Sequence, residues 1–333
     1  MPSQPTRPAL AAARSGSPVP ATRTGTSRRL LVRGSLAGAA AAVTGAPRTA
    51  LAHGAARRAA GVTLRWFGAN AWELSFDGRT VLIDPWLSRF STTGPDGRFD
   101  PATPLFVDRA AIRRHLRAAD LVLVTHGHYD HMGDVPQVLE QFPAARVVAT
   151  QTHAHLLTAI GAPADRIIWA RGGEYLAFGG YTVQVLPSLH SLTADYRYFA
   201  PGTLTAPPGR VRTVSDLVEG GTLAYQVTTA DGLSVLNIGT ANLIERELRG
   251  LRPDIAVIAV PYGGATHRYL ERLLEALGAP RVVVPTHHDE MDTPLDRPVR
   301  ADARVLRSFR DAVHRVSPRS TVVEPRYLEA IAL

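Results

Sequence analysis

Short runs of apolar, often β-branched residues recur along most of the chain, and segments rich in turn residues separate them. Runs of this length and composition are typical of short buried strands. Asp77-Gly78 and Asp231-Gly232 each stand between two runs and predict hairpin turns. The predicted strands occupy residues 62–67, 72–76, 80–83, 121–124, 146–150, 181–187, 222–229, 234–238, 255–260 and 282–284.

Segments with a helical pattern lie between these strands. Asp108 is predicted to cap the first helix with its side chain. The C-terminal part, through Leu333, predicts a closing helix and a strand. The predicted helices before it occupy residues 108–118, 135–142, 152–160, 242–248 and 268–277.

Two long segments are predicted to be loops. Residues 88–104 are rich in Gly, Pro, Ser and Thr and follow a strand end, so they are a candidate lid or pocket wall. Residues 192–216 carry Tyr196, Tyr198 and Phe199. They are expected to form either the second wall of an apolar pocket or a loop packed on the protein surface.

The composition indicates one large domain preceded by a basic leader. Of the 333 residues, 45% are hydrophobic, which is enough for a sizeable core. Residues 1–52 contain seven arginines and no acid, so residues 53–333 carry a formal charge of only about +1 out of the total of +8. A long nucleic-acid track needs a basic stripe, and the nearly neutral body argues against one.

The leader resembles a bacterial twin-arginine export signal. Residues 27–33 read SRRLLVR, and an Ala-rich run and Ala50-Leu51-Ala52, a small-residue cleavage site, follow. The apolar run is too short for a permanent membrane anchor. We therefore predict an exported protein, periplasmic, extracellular or in the cell envelope, with a leader at 1–52 and one folded domain at 53–333.

The absence of cysteine limits the chemistry. No lipid can be attached through a cysteine near the cleavage site, and no thiolate can bind a metal. Export without disulfides is common, so the absence of cysteine does not decide whether the protein works in a reducing or an oxidising compartment.

A metal-binding pattern follows the predicted strand 121–124. Residues 125–134 read THGHYDHMGD, with three histidines and a carboxylate within six residues. His126 and His128 can aim at one ion, and Asp130 and His131 at a neighbouring one, because imidazole and carboxylate are good ligands of zinc and related ions. Gly127 is expected to let the backbone pass close to the ions.

This pattern closely resembles the signature of the metallo-β-lactamase superfamily, and later landmarks of that family follow in order over most of residues 60–333. The resemblance implies an α/β fold, a four-layer αβ/βα sandwich of two mixed β-sheets with flanking helices. It implies a metal site at the ends of the two sheets. It also implies, most often, hydrolysis by metal-activated water.

The resemblance extends the candidate site to residues far apart in the chain. His190 matches the third histidine of the first metal site, and His287 matches the final ligand. Asp84, in an Asp-Pro step, is expected to orient a ligand histidine or simply to form a turn before proline. His288 is the second choice for the final ligand, and Tyr262 is expected either to donate to a developing oxyanion or to pack.

One position departs from the family pattern. Most members have Gly-Asp where this chain has Gly239-Thr240, and that carboxylate bridges two metals. Neither Thr240 nor Asn242 can supply an anionic bridge. We therefore predict one tightly bound ion, with a second that is weaker or absent.

The functional hypothesis is a zinc-dependent hydrolase, with manganese or iron as alternatives. His126, His128 and His190 hold the first ion, whose hydroxide attacks a small ester, lactone or phosphodiester-type substrate. Asp130 orients the hydroxide or accepts its proton. The alternatives are a phosphodiesterase or nuclease on the same fold, and a degenerate metal-binding protein without turnover.

Overall fold

The apolar runs form the strands of two mixed sheets in the computed structural model, which describes residues 61–261 and 265–333. Within that part of the chain the strands are β1 (Thr63–Trp66), β2 (Trp72–Phe76), β3 (Arg79–Ile83), β4 (Leu121–Leu123), β5 (Arg146–Ala149), β6 (Ile167–Trp169), β7 (Tyr175–Phe178), β8 (Tyr181–Pro187), β9 (Leu223–Thr229), β10 (Ser234–Ile238), β11 (Ile255–Ala259), β12 (Val282–Thr286), β13 (Thr321–Val322) and β14 (Ala330–Ala332).

Each sheet has seven strands among the residues that the structure describes. The first has the order β14-β1-β2-β3-β4-β5-β6, and the second has the order β13-β12-β11-β10-β9-β8-β7. Strands β3 to β6 run parallel, as do β10 to β13. The pairs β8–β9 and β9–β10 are antiparallel, so β8 runs in the direction of β10. The carboxyl ends of β8, β10 and β12 therefore lie along one edge of the second sheet.

Helices lie along the sheets. Asp108 accepts hydrogen bonds from the backbone of Ala110 and Ala111, so it caps the first helix as predicted. The helices are α1 (Arg109–His115), α2 (Tyr129–Met132), α3 (Val135–Gln141), α4 (Gln151–Ala159), α5 (Glu245–Leu248), α6 (Tyr269–Leu277) and α7 (Ala303–Val316).

Alternate residues of the second sheet are buried in two different cores. Val235 and Val257 belong to the larger core, which also holds residues of the first sheet and of α1, α3 and α4. Their neighbours Leu236 and Ile258 belong to a smaller core with α6 and α7. The second sheet is thus covered on one face by the first sheet and on the other by helices. The predicted four-layer αβ/βα sandwich is confirmed.

The differences from the predicted elements are local. Strands β6 and β7 are short edge strands, and they were not predicted because three or four residues give little periodicity. The helix predicted from residue 242 begins at Glu245, because the Asn242 amide donates to the His190 carbonyl and holds the chain irregular. The C-terminal region forms two strands, one in each sheet, where one was predicted.

The predicted leader and its boundary after Ala52 lie outside the described residues. Within the described ranges, no helix has the length and apolar character needed to span a bilayer.

Candidate metal centre

The loop after β4 carries the histidine pattern and is held by a neighbouring backbone segment. The amide of Gly127 donates to the Glu219 carbonyl at 2.9 Å. A Cβ at position 127 would lie 2.1 Å from the Val218 carbonyl oxygen. Glycine is therefore needed here because this segment passes close by, which differs from the expectation that the ions themselves require it.

A first cluster consists of His126, His128 and His190. Their ligand-type nitrogens lie within 4.8 Å of one another, and their ring centroids are 4.6–4.7 Å apart. All three side chains are buried. Two come from the loop after β4 and one from the loop after β8, so the site joins the two sheets.

Each histidine of the first cluster has one ring nitrogen engaged outside the cluster. His126 Nδ1 lies 3.2 Å from Thr125 Oγ1, and His128 Nε2 lies 3.0 Å from the Phe199 carbonyl oxygen. His190 Nδ1 lies 2.8 Å from the Ser191 carbonyl oxygen. These contacts leave the opposite nitrogen of each ring to serve as a ligand, the arrangement typical of metal-binding histidines.

A second cluster consists of Asp130, His131 and His287, whose ligand-type atoms also lie within 4.8 Å of one another. Asp130 Oδ2 is 3.1 Å from His131 Nε2 and 3.2 Å from His287 Nε2. The buried His131 Nε2 lies beside the Asp130 carboxylate but makes no well-aligned hydrogen bond to it. An unpartnered nitrogen beside a carboxylate fits a metal ligand.

Asp84 orients the second cluster and is linked to the first through Thr125. Its Oδ2 accepts a hydrogen bond from His131 Nδ1 at 2.6 Å, and its Oδ1 accepts one from the Thr125 amide at 2.7 Å. Thr125 Oγ1, which neighbours His126 Nδ1, also donates to Asp84. Asp84 has a left-handed backbone, with φ of 43°, an uncommon conformation that is typical of functional sites.

Asn70, which was not predicted as a site residue, supports the Asp84 carboxylate by a hydrogen bond. Its amide nitrogen donates to Asp84 Oδ2 at 2.8 Å and to Asn237 Oδ1 at 3.0 Å, and Asn237 donates back. Both asparagines are fully buried and join β10 to the segment between β1 and β2. The one available signal was a polar residue between two predicted strands.

A buried ion pair fixes the segment that carries His287. Arg89 Nη2 is 2.7 Å from Asp289 Oδ2, and the Tyr327 hydroxyl donates to the same oxygen at 2.6 Å. Asp289 Oδ1 accepts from the Ala69 amide, and the Ala69 carbonyl accepts from the His287 amide. The left-handed conformation of His287, with φ of 55°, is thus held by contacts on both sides.

The remaining predicted residues are placed as follows. Thr240 lines the cavity, and its Oγ1 accepts from the Ser191 amide at 2.9 Å. Asn242 contacts the His190 carbonyl. His288 stacks on Trp66, at 4.7 Å between ring centroids, and is outside both clusters. Tyr262 lies outside the described residues.

The two clusters differ in charge. Burial holds the pKa of His126 well below its ordinary value and, together with His190, lowers the pKa of His128 to about 3. Burial also opposes protonation of His131, but Asp130 and Asp84 outweigh it and raise the pKa to about 10. The first cluster is therefore a set of neutral imidazoles, the form that binds metal, whereas the second pairs a carboxylate with an imidazolium.

Both clusters open into one cavity of about 340 Å³. Phe99 comes from the predicted wall 88–104, and Leu192 and Phe199 come from the second loop. Of the two interpretations of residues 192–216, the structure therefore favours the pocket wall.

Comparisons with known proteins agree with this geometry. A UPF0173 metal-dependent hydrolase of Saccharolobus solfataricus is 28% identical over 205 residues, which cover 60% of this chain and 71% of the relative. Proteins of the same description from Hyperthermus butylicus and Sulfurisphaera tokodaii are 34% and 30% identical, over 38% of this chain and 50% of their own length.

Solved structures show the same fold at low identity. Igni18, a metallo hydrolase of Ignicoccus hospitalis, is 21% identical with a TM-score of 0.51, over 82% of this chain and 98% of its own. CmlA, a diiron β-hydroxylase of Streptomyces venezuelae, is 16% identical with a TM-score of 0.51, over 82% of this chain and 54% of its own.

A family model described as the beta-lactamase superfamily domain matches residues 63–287. That match covers the motif after β4, the histidine after β8 and the histidine after β12. The chain therefore belongs to the family described as the beta-lactamase superfamily domain, and its fold is the metallo-β-lactamase fold.

Proposed function

We propose that this protein is an exported metal-dependent hydrolase that acts on a small ester, lactone or phosphodiester-type substrate. The observation that carries the proposal is that two clusters of metal-ligand side chains follow strand ends of both sheets and face one cavity. The similarity to proteins named metal-dependent hydrolases supports the same class of reaction.

Zinc is the ion that we propose for the first cluster. Three neutral imidazoles are a common zinc ligand set that leaves one position open. Zinc in such a site supplies Lewis acidity and lowers the pKa of a bound water to about 7. Manganese and iron are the alternatives, because imidazole also suits these ions.

Asp130 is the proposed proton acceptor. Its carboxylate lines the cavity beside both clusters, and His131 and His287 hold its pKa well below the ordinary value against the effect of burial. A carboxylate that stays ionised can orient a water molecule and take its proton. His131 and His287 then either hold a weak second ion with Asp130 or act as proton-transfer groups.

We propose one tightly bound ion because Thr240 stands where most family members carry a bridging carboxylate. The hydroxyl accepts from the Ser191 amide and carries no charge. Two neighbouring cations would repel each other with one negative charge fewer between them.

The test is a panel of ester, lactone and phosphodiester probes with the zinc-loaded protein. His128→Ala removes one imidazole of the first cluster, and we expect turnover to fall at least about 100-fold. His314→Ala, on the exposed face of α7, is the matched control and should retain full activity. If no probe is turned over in a His128-dependent manner, the protein is a metal-binding protein without turnover.

A nuclease is the alternative on the same fold. Residues 53–333 carry little net charge, so we propose a small-molecule substrate and no nucleic-acid partner. Salt-sensitive binding of the mature protein to nucleic acid would contradict this.

A further inference from the structure

We propose that the cavity above the two clusters accepts an uncharged substrate with a short apolar group, such as a neutral carboxylic ester or lactone. It would exclude substrates that carry a charge at the end remote from the reacting carbonyl. This inference rests on the proposed hydrolase function and narrows its substrate class.

The first argument is the charge of the cavity wall. Every described lining residue outside the two clusters is uncharged, and the largest of them are Phe99, Tyr129, Leu192, Phe199 and Met291. Residues 262–264, which follow Pro261 in the sequence, read Tyr-Gly-Gly and contain no cationic residue. A remote carboxylate or ammonium entering this space would lose its hydration without gaining a partner.

The second argument is where the cationic side chains are used. The chain contains no lysine, so arginine is its permanent cation. Arg89 is buried, but its guanidinium contacts Asp289, the Tyr327 hydroxyl and backbone carbonyls. Arg197, in the same loop as Phe199, is exposed and pairs with Asp195. Neither belongs to the cavity lining.

The third argument is the aromatic pair that forms one wall. Phe99 and Phe199 come from the two long loops and meet edge to face, with ring centroids 5.1 Å apart at 87°. The Phe199 ring lies 5.0 Å from the His128 ring, so this wall stands next to the first cluster. Phe99 remains 45% exposed, which leaves apolar surface for a ligand to cover.

The cavity volume limits the size of that ligand. About 340 Å³ is near the lower end of the roughly 300–1,000 Å³ found for small-molecule sites. An acyl chain of about six carbons fits this range, whereas a polymer would have to extend beyond it. We expect Phe99 to contact the acyl chain. It is the better residue to vary, because the Phe199 carbonyl also contacts His128 Nε2, so a change at Phe199 could disturb the first cluster.

The first experiment compares two esters of equal length and equal leaving group on the zinc-loaded protein. The pair is p-nitrophenyl hexanoate and mono-p-nitrophenyl adipate, which differ by a carboxylate at the far end of the chain. We expect kcat/KM for the hexanoate to exceed that for the adipate at least about 100-fold. A phosphodiester is unsuited to this comparison, because its charge lies at the reacting centre, where a bound metal can meet it.

Two variants locate the effect in the cavity wall. Phe99→Ala should raise KM for p-nitrophenyl hexanoate roughly tenfold. It should change KM little for p-nitrophenyl acetate, whose acyl group is too short to reach this wall. Phe106→Ala removes an exposed phenylalanine that does not line the cavity, and should leave both unchanged. Met291→Arg places a cation in the cavity wall, so the ratio of kcat/KM for the hexanoate to kcat/KM for the adipate should fall about tenfold. Met291→Leu should leave this ratio unchanged.

A binding measurement separates this inference from the proposed function. Ligand-observed NMR titrations of the zinc-loaded protein compare hexanamide with 6-aminohexanamide, whose remote ammonium cannot coordinate the metal. We expect at least tenfold tighter binding of hexanamide, and a loss of that binding in Phe99→Ala.

The outcomes are distinct. His128-dependent turnover of both esters at similar rates would overturn the inference and leave the hydrolase standing. Equal binding of the two amides would overturn the inference as well. Selective, Phe99-dependent binding of hexanamide without turnover of any ester would support the inference and contradict the hydrolase function.

Discussion

The histidines of the first cluster are held in one orientation by oxygen atoms outside the cluster. Thr125, the Phe199 carbonyl and the Ser191 carbonyl each contact one ring nitrogen. Neutral imidazole has one donor and one acceptor nitrogen, so engaging one of them decides which can bind a metal. The ligand set is thus preorganised by one threonine hydroxyl and two backbone carbonyls.

Thr240 allows a direct test of the single-ion proposal. Thr240→Asp restores the carboxylate that most family members have, and we expect tightly held zinc to rise from one equivalent to two. Elemental analysis after gel filtration, with Thr240→Asn as the uncharged control, measures this. Two tightly held equivalents in the unaltered protein would contradict the proposal, as would one equivalent in Thr240→Asp.

His153 allows a test of pH-dependent stability. Its Nε2 contacts the Glu219 carbonyl, which also accepts from Gly127, and burial lowers its pKa from 6.5 to about 4. The unfolded chain therefore binds a proton more readily, so stability is lost as the pH falls from 6.5 towards 4. Between pH 7 and pH 5 this group should cost about 2 kcal/mol.

Urea unfolding of metal-free protein at the two pH values measures that loss. His153→Gln keeps an amide donor for the Glu219 carbonyl but cannot titrate, and its pH dependence should be about 2 kcal/mol smaller. An unchanged pH dependence in the variant would show that His153 does not carry the effect.

At the scale of elements, the segments that follow the strands are tied to one another by buried polar contacts. The turn at Ala69 and Asn70 contacts Asp84, Asn237 and Asp289, which follow or belong to three other strand segments. Buried polar groups are costly when one partner is missing, so such networks specify a single arrangement of the loops.

The ion pair of Arg89 and Asp289 is the part of this network that we expect to dominate stability. Arg89→Met leaves the Asp289 carboxylate buried without its cation and should lower the free energy of unfolding by about 3–5 kcal/mol. Arg304→Met removes an exposed arginine that pairs with Asp302, and should change it by less than about 1 kcal/mol. Urea titrations measure the free energy of unfolding of both variants. Equal losses in Arg89→Met and Arg304→Met would contradict the dominant role of the buried ion pair.

At the scale of the whole molecule, the two donor clusters meet at one cavity because strand ends of both sheets face each other. The loop after β4 belongs to the first sheet, and those after β8 and β12 belong to the second. Burial of Val235, Val257 and their neighbours between the sheets sets this juxtaposition. The site should therefore be lost on global unfolding as a unit.

Export is also a property of the whole chain, and it stays a prediction. Replacing Arg28→Lys together with Arg29→Lys should prevent export by the twin-arginine route, because that route reads the arginine pair. Replacing Arg14→Lys together with Arg23→Lys keeps the charge outside the pair and should leave export intact. Fractionation of bacterial cells, and the N-terminus of the exported form, measure this. An exported form beginning after Ala52 is expected.

Much of the fold and site could be predicted from local sequence. The strands before the motif, the hairpin at Asp77-Gly78 and the cap at Asp108 are decided by nearby residues, so their patterns are readable. The spacing of His126, His128, Asp130 and His131 likewise places ligands by local geometry. The positions of His190 and His287 were predicted by resemblance to a family, since no local pattern relates them to the motif.

Tertiary structure alone decided what joins these parts. Asn70, Arg89 and Asp289 act through partners 14 to 220 residues away, and no periodicity records such pairs. It also placed His288 against Trp66 and brought Phe99 to Phe199. The physical reason is that short-range propensity and spacing act along the chain, whereas a buried hydrogen bond or ring contact depends on which strand ends the packed sheets bring together.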